Sequence, residues 1–278
     1  MTSSVHTNTS ALIALQNLNL TNQRLEAVQG RVNTGLKVQG AKDNASIWAI
    51  AQGQRADMGA LSAVQMSLDR ATSVADVALS AGETISDLLN QLKEKVVAAN
   101  DESLKTQSRE LLNDDFQALL RSISQAVQNA EFDGANLLDG SLSNGVRFLA
   151  NAEADAFVTL STRNLSLGGG VIDLTLSSNL LTMSDAADAL ADLNTSISQV
   201  NSALGALGSQ AKQIEAHNGF VSRLMDTLES GIGNLVDADL AKESARLTAL
   251  QVQQQLGVQA LSIANQAPQV ILSLFRGG

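Results

Sequence analysis

The stretch Leu190–Leu235, LADLNTSISQVNSALGALGSQAKQIEAHNGFVSRLMDTLESGIGNL, decides the fold. Steps of three and four residues, taken in turn, land on Leu190, Leu193, Ile197, Val200, Leu204, Leu207, Ala211, Ile214, Asn218, Val221, Met225, Leu228, Ile232 and Leu235. Of these fourteen positions only Asn218 is polar. Such a period belongs to a helix whose apolar seam faces another helix. At ~1.5 Å per residue the segment spans about 70 Å, which makes it a rod. A lone seam asparagine can fix register at some cost in stability.

Working outward, a second seam runs through Leu61, Val64, Leu68, Ala71, Ala75, Ala78, Gly82, Ile85, Leu89, Leu92 and Val96. Its middle is built of small residues, so a partner helix can approach closely there. Asn100-Asp101 marks a turn, and a third helix is predicted from Leu104 to about Ala130 with Leu112, Phe116, Leu119, Ile123 and Val127 on one face. Phe132–Gly145 then breaks the helical pattern with Asp-Gly and Asn-Gly pairs. Beyond it the period falls to two: Val158 and Leu160 alternate with polar residues, as do Ile172, Leu174 and Leu176. A small antiparallel β region is predicted over roughly 145–177. Gly168-Gly169-Gly170 is read as a connector, since no Lys-Ser/Thr pair and no long helix follow it to make a phosphate loop.

Both ends of the chain read as helices that need a partner. Leu12, Leu15, Leu18, Leu25, Val28 and Val32 form a stripe near the start, and Thr248–Phe275 carries no charged residue. A membrane span is disfavoured for that tail, because Gln251, Gln253, Gln254, Gln255, Gln259, Asn265, Gln266 and Gln269 interrupt it on several faces. From these patterns the predicted fold class is mainly α: long helical rods with a small β region, each terminal helix needing a partner.

Composition narrows the function. With 18 Lys and Arg against 28 Asp and Glu the net charge is −10, which argues against nucleic-acid binding. Aromatic residues make up 3%, with Trp48 the one tryptophan, and Pro268 is the one proline. The chain contains no cysteine, so thiolate metal sites and disulfides are excluded. His6 and His217 lie at no metal-ligand spacing. The carboxylate groups Asp114-Asp115, Asp185/Asp188/Asp192 and Asp237/Asp239 read as solvated helix faces or helix starts. No enzyme activity, cofactor or catalytic residue is expected. MTSSVHTNTSALIALQ has neither a basic n-region nor a long apolar h-region, so no cleaved secretion signal is read there.

The connector TGLKVQGAKDNAS (34–46), which carries Gly35, Gly40, Lys37, Lys42 and Asp43, is read either as an ordinary linker or as an ordered extended segment joining two packing layers. It resembles the segment SSGLRINSAKDDAAG of bacterial flagellins. VHTNTSALIALQNLNLTNQRLEAVQGRV (5–32) resembles the flagellin N-terminal helix, and DADLAKESARLTALQVQQQLGVQALSIANQAPQVILSLFR (237–276) its C-terminal helix. FDGANLLDG (132–140) is similar to the FNGVKLL-type turn that follows the flagellin rod helices. The resemblance covers nearly the whole chain and is nearest to the short, alphaproteobacterial kind. Ala249 stands where the family often has arginine. Gln91 and Lys95 stand for an arginine and a leucine of the stretch that animal innate receptors recognise.

That resemblance implies a subunit that self-assembles into the flagellar filament for motility, outside the cell. It implies a long antiparallel helical coiled-coil rod with a small β-hairpin region and paired N- and C-terminal helices: an inner-tube helical domain with its connecting spoke, 1–42 plus 236–278, and a rod domain, 43–235, with a β region at about 132–183. Leu12, Leu15, Leu18, Leu25, Val28, Leu247, Leu250, Val258, Leu261 and Leu274 would make inner-tube contacts, and Arg31, Lys42 and Asp43 would belong to the spoke. The rod seam would use Leu190, Leu193, Ile197, Val200, Leu204, Leu207, Ile214, Asn218, Val221 and Leu228. Implied partners are further copies of the chain, the flagellar type III export machinery, a secretion chaperone, and hook-associated and cap proteins. Two other readings remain open: a hook–filament junction protein, and a coiled-coil module that binds a foreign helix.

Overall fold

The computed structural model describes residues 7–276, with side-chain surroundings for residues 7–266. Five helices carry the chain: α1 (Thr9–Thr34), α2 (Ala45–Ala99), α3 (Thr106–Gln128), α4 (Met183–Val236) and α5 (Leu240–Arg276). Between α3 and α4 lie four short strands, β1 (Glu131–Phe132), β2 (Ala135–Asn136), β3 (Val146–Leu149) and β4 (Phe157–Leu160). The chain divides into two compact units, one of residues 1–56 and 227–278, the other of residues 57–226.

In the unit of residues 57–226, α2 and α4 run antiparallel. Asn218 Nδ2 donates to Asp69 Oδ1 over 2.7 Å, Ser86 Oγ to Asn201 Oδ1 over 3.4 Å, and Asn100 Nδ2 to the Ala186 carbonyl over 3.0 Å. Each advance along α2 is thus matched by an equal retreat along α4. All eleven residues of the α2 seam, from Leu61 to Val96, are buried. Gly82 makes the closest approach, for a Cβ there would lie 2.2 Å from Leu204 Cδ2. On α4, Leu193, Val200, Leu207, Ile214 and Val221 are buried, while Leu190, Ile197, Leu204, Asn218 and Leu228 are half-buried. The buried positions that alternate with the first set are Ala189, Ser196 and Ala203, one residue earlier. That face is broader than one seam because the 170s segment also lies on it: Ser196 Oγ accepts from the Asp173 amide over 3.0 Å.

Helix α3 returns along α2, with Phe116, Leu120, Ile123 and Val127 buried. Lys95 pairs with Asp115 at 2.7 Å on its exposed side. Arg109 is buried at the turn, where Nη1 donates to the Ala99 carbonyl and Nη2 to the Asp101 carbonyl at 3.1 Å. The Ala99 carbonyl is one that the end of α2 leaves without an intrahelical partner, and Asp101 lies in the turn just beyond it. Asp101 in turn accepts from the Ser103 amide and hydroxyl, each at 2.8 Å, which holds its carboxyl below the usual range with help from the Arg109 charge.

Strands β1 and β2 form a two-residue hairpin around Asp133-Gly134, with φ of 50° and 78°. Positive φ at both central residues matches a primed turn, for which Asp-Gly is a preferred pair. Strands β3 and β4 pair antiparallel, Val146 opposite Leu160 and Leu149 opposite Phe157. The Arg147 guanidinium lies 4.0 Å from the Phe157 ring centroid. Ile172–Leu176, expected within a β region, forms no strand beyond a single bridge between Ile172 and Leu167. Ile172 and Leu174 are nonetheless buried and Asp173 exposed. An extended segment laid on a helix alternates as a strand does, and its amide finds Ser196 instead of a neighbouring strand. Helix α4 opens on a reciprocal cap, the Asp185 amide donating to Thr182 Oγ1 over 3.1 Å and the Thr182 amide to Asp185 Oδ2 over 3.2 Å.

In the unit of residues 1–56 and 227–278, α1 and α5 pair antiparallel. The connector after α1 is an ordered extended segment. Gly35 ends α1 in the left-handed region, φ 72°. Lys37 N then donates to the Val236 carbonyl over 2.7 Å, and Ala238 N to the Gly35 carbonyl over 2.7 Å. Val38, Ala51, Ile232 and Val236 form a small core there, with Trp48, Ile47, Leu36 and Leu235 packed on it.

Candidate assembly surface

The α1–α5 pair has a seam of its own. On α5 it runs through Glu243, Leu247, Leu250, Gln254, Gly257, Leu261 and Ala264, spaced alternately four and three, each buried or half-buried. On α1 the facing positions are Ala14, Leu18, Thr21, Leu25 and Val28. Asn8 Nδ2 donates to the Ala264 carbonyl over 2.7 Å, and Gln254 Nε2 to Asn22 Oδ1 over 2.8 Å. At Gly257 a Cβ would sit 3.2 Å from Leu18 Cδ1, so the helices come close there.

At one end of the seam Glu243 is 7% exposed and lies between two arginines, Arg246 at 2.9 Å and Arg31 at 3.7 Å. Its Oε2 has no hydrogen-bond partner among the described residues. Glu243 lies four residues before Leu247 and so falls in the seam, a place that no apolar pattern reveals. A charged and an amide residue, Glu243 and Gln254, hide the period from a search for apolar residues alone.

Of the residues expected to make inner contacts, Leu25 and Val28 are buried, and Leu18, Leu247, Leu250 and Leu261 are half-buried within this pair. Leu12, Leu15 and Val258 are exposed. The side chain of Leu274, and all of His6, lie outside the described residues. In the connector, Arg31 reaches Glu243, while Asp43 Oδ2 accepts from the Gln39 amide over 2.9 Å and shapes its own loop. Lys42 is exposed.

One seam covers only a stripe of each helix. Leu12, Ile13, Leu15, Leu20, Leu240, Val252, Leu256, Val258 and Ile263 stand exposed on the two helices, Ile263 at 69%. Fully burying such a side chain is worth about 1.5–3 kcal/mol, so completing these roughly half-exposed ones offers on the order of 10 kcal/mol before association costs. Among the described residues no helix is long and apolar enough to cross a membrane. The two units also differ in charge. The unit of residues 1–56 and 227–278 has eight Lys and Arg against six Asp and Glu; the unit of residues 57–226 has ten against twenty-two.

A thin two-helix pair with apolar flanks, in a chain of long antiparallel helices, defines a structural subunit that completes its packing against other helices. Residues 5–143 match the bacterial flagellin N-terminal helical region, and residues 189–275 the bacterial flagellin C-terminal helical region. Flagellin FljJ of Caulobacter vibrioides is 54% identical over 280 residues, covering 100% of both chains. A flagellin of Brucella melitensis is 40% identical over 99% of both. A solved Vibrio parahaemolyticus chain described as a flagellar hook-associated protein superposes with a TM-score of 0.58 at 12% identity, over 70% of this chain and 100% of its own. That likeness is one of fold alone. The chain belongs to the bacterial flagellin family, a family of structural proteins.

Proposed function

We propose that this chain is a subunit of the extracellular flagellar filament, built by packing α1–α5 pairs of many copies side by side. The supporting observation is the exposed apolar surface on both helices of a pair whose only described buried side chains are Thr21, Leu25, Val28 and Glu243. Full-length identity with flagellins, at 54% for one relative, favours the filament subunit over a junction protein, and self-association over capture of a foreign helix.

In this reading residues 1–42 and 236–278 form the inner tube and spoke, and residues 43–235 the outer rod. Leu12, Leu15 and Val258 serve contacts between copies, whereas Leu25 and Val28 hold the pair itself together. Arg31, Lys42 and Asp43 belong to the spoke. Export through the flagellar type III apparatus, a secretion chaperone, and hook-associated and cap proteins complete the set of partners. Deleting residues 248–278 tests the proposal: far-UV circular dichroism should retain the rod helices, while sedimentation after adding filament seeds should find only monomer. Normal filaments from the truncated chain would refute it.

A further inference from the structure

We propose that Glu26 of one copy seats its carboxylate between Arg24 and Arg246 of the next, so that the paired helices carry a built-in head-to-tail ionic contact. The acceptor is a groove of about 370 Å³ between α1 and α5, lined by Arg24, Val28, Arg246, Ala249, Leu250 and Gln253. Its floor is apolar and its rim carries two guanidinium groups. Small Ala249 keeps the groove open. Arg24 is exposed and makes no ion pair or hydrogen bond among the described residues. Arg246 shares the single buried carboxylate of Glu243 with Arg31, which leaves the cluster short of negative charge.

Elimination identifies the occupant. Helices α1 and α5 contain two acids in all, Glu26 and Glu243, and Glu243 is buried within its own pair. Asp43, Glu229, Asp237 and Asp239 lie outside both helices, so along the paired helices themselves Glu26 is the exposed acid a second copy can bring. Glu26 is exposed and lies two residues from both Arg24 and Val28, about half a turn around α1. It faces away from its own groove, where another copy's groove can meet it. Donor and acceptor on opposite faces of one helix make a heterologous contact, which propagates into rings or helical filaments instead of stopping at a dimer.

This inference rests on the filament reading, and the test separates the two. Glu26→Lys and Arg24→Glu should each raise the critical concentration for seeded polymerisation about ten-fold or more, with the monomer's circular dichroism and melting unchanged. Because the chain has no cysteine, Glu26→Cys with Ala249→Cys gives a direct probe. Oxidised polymer of that variant should run as a ladder of disulfide-linked multimers, and either single variant should not. Absence of the ladder from polymer of the double-cysteine variant, or normal polymerisation of Glu26→Lys, overturns the contact and leaves the filament reading standing. Failure of the unaltered chain to polymerise on seeds overturns both.

Discussion

Replacing Gly82 by alanine should change sign with its background. Glycine inside a helix costs about 1 kcal/mol relative to alanine, so the substitution alone favours the folded helix by that amount. Against it stands Leu204, whose Cδ2 would lie 2.2 Å and Cγ 3.4 Å from the new Cβ. Only the end of a leucine is in the way, so the helices need not separate, but Leu204 must leave its rotamer. Overpacking of this kind costs roughly 1–3 kcal/mol. Gly82→Ala should therefore be destabilising by up to about 2 kcal/mol in the native chain. Once Leu204→Ala has removed the obstruction, the same substitution should stabilise by about 1 kcal/mol. A double-mutant cycle in urea, followed by circular dichroism of the monomer, measures the coupling between the sites. Stabilisation by Gly82→Ala in both backgrounds would show that Leu204 is not seated against Gly82.

Arg109→Met removes the donor to the Ala99 and Asp101 carbonyls and should cost about 2–3 kcal/mol, seen as a lower urea midpoint. Glu243→Gln strips the counterion shared by Arg31 and Arg246; because Arg246 is half-exposed the cost should be about 2 kcal/mol, below that of a fully buried pair. Hydrogen exchange should then speed up in α1 and α5 while α3 is unchanged. Asp101 titrates below its ordinary value of 3.8 because Ser103 donates twice to its carboxylate. The stabilisation it brings is complete above 3.8 and fades as pH falls through the lowered folded value. Ser103→Ala should raise that pKa back toward 3.8, as read by carboxyl NMR titration.

The rod was legible because apolar residues recur at one period over dozens of positions. In α2 the small middle of the seam, Ala71 to Gly82, even announced the close approach that Leu204 makes. The seam of α4 was less legible at its edges, since Ala189, Ser196 and Ala203 are too small or polar to register as core, yet all are buried. The 170s segment was misread as a strand because lying against a helix imposes the same alternation as pairing in a sheet. Arg109 was invisible, for nothing in sequence separates a buried arginine that closes a helix end from a solvated one. At the candidate surface, the sequence pointed to the apolar residues of both terminal helices. It could not divide those buried within one pair, such as Leu25, from those left exposed on it, such as Leu12.

The uneven charge of the two units has a colloidal consequence. Residues 57–226 carry twenty-two acids against ten bases, and in a polymer this excess repeats with every subunit. Such a polymer is a polyanion wrapped in counterions, with a repulsive layer about 8 Å deep at physiological salt and about 30 Å at 0.01 M. Dilute fresh water keeps neighbouring filaments apart, whereas raising the salt lets them touch. The same acidity that gives the helices their solvated faces thus sets how closely two filaments can lie.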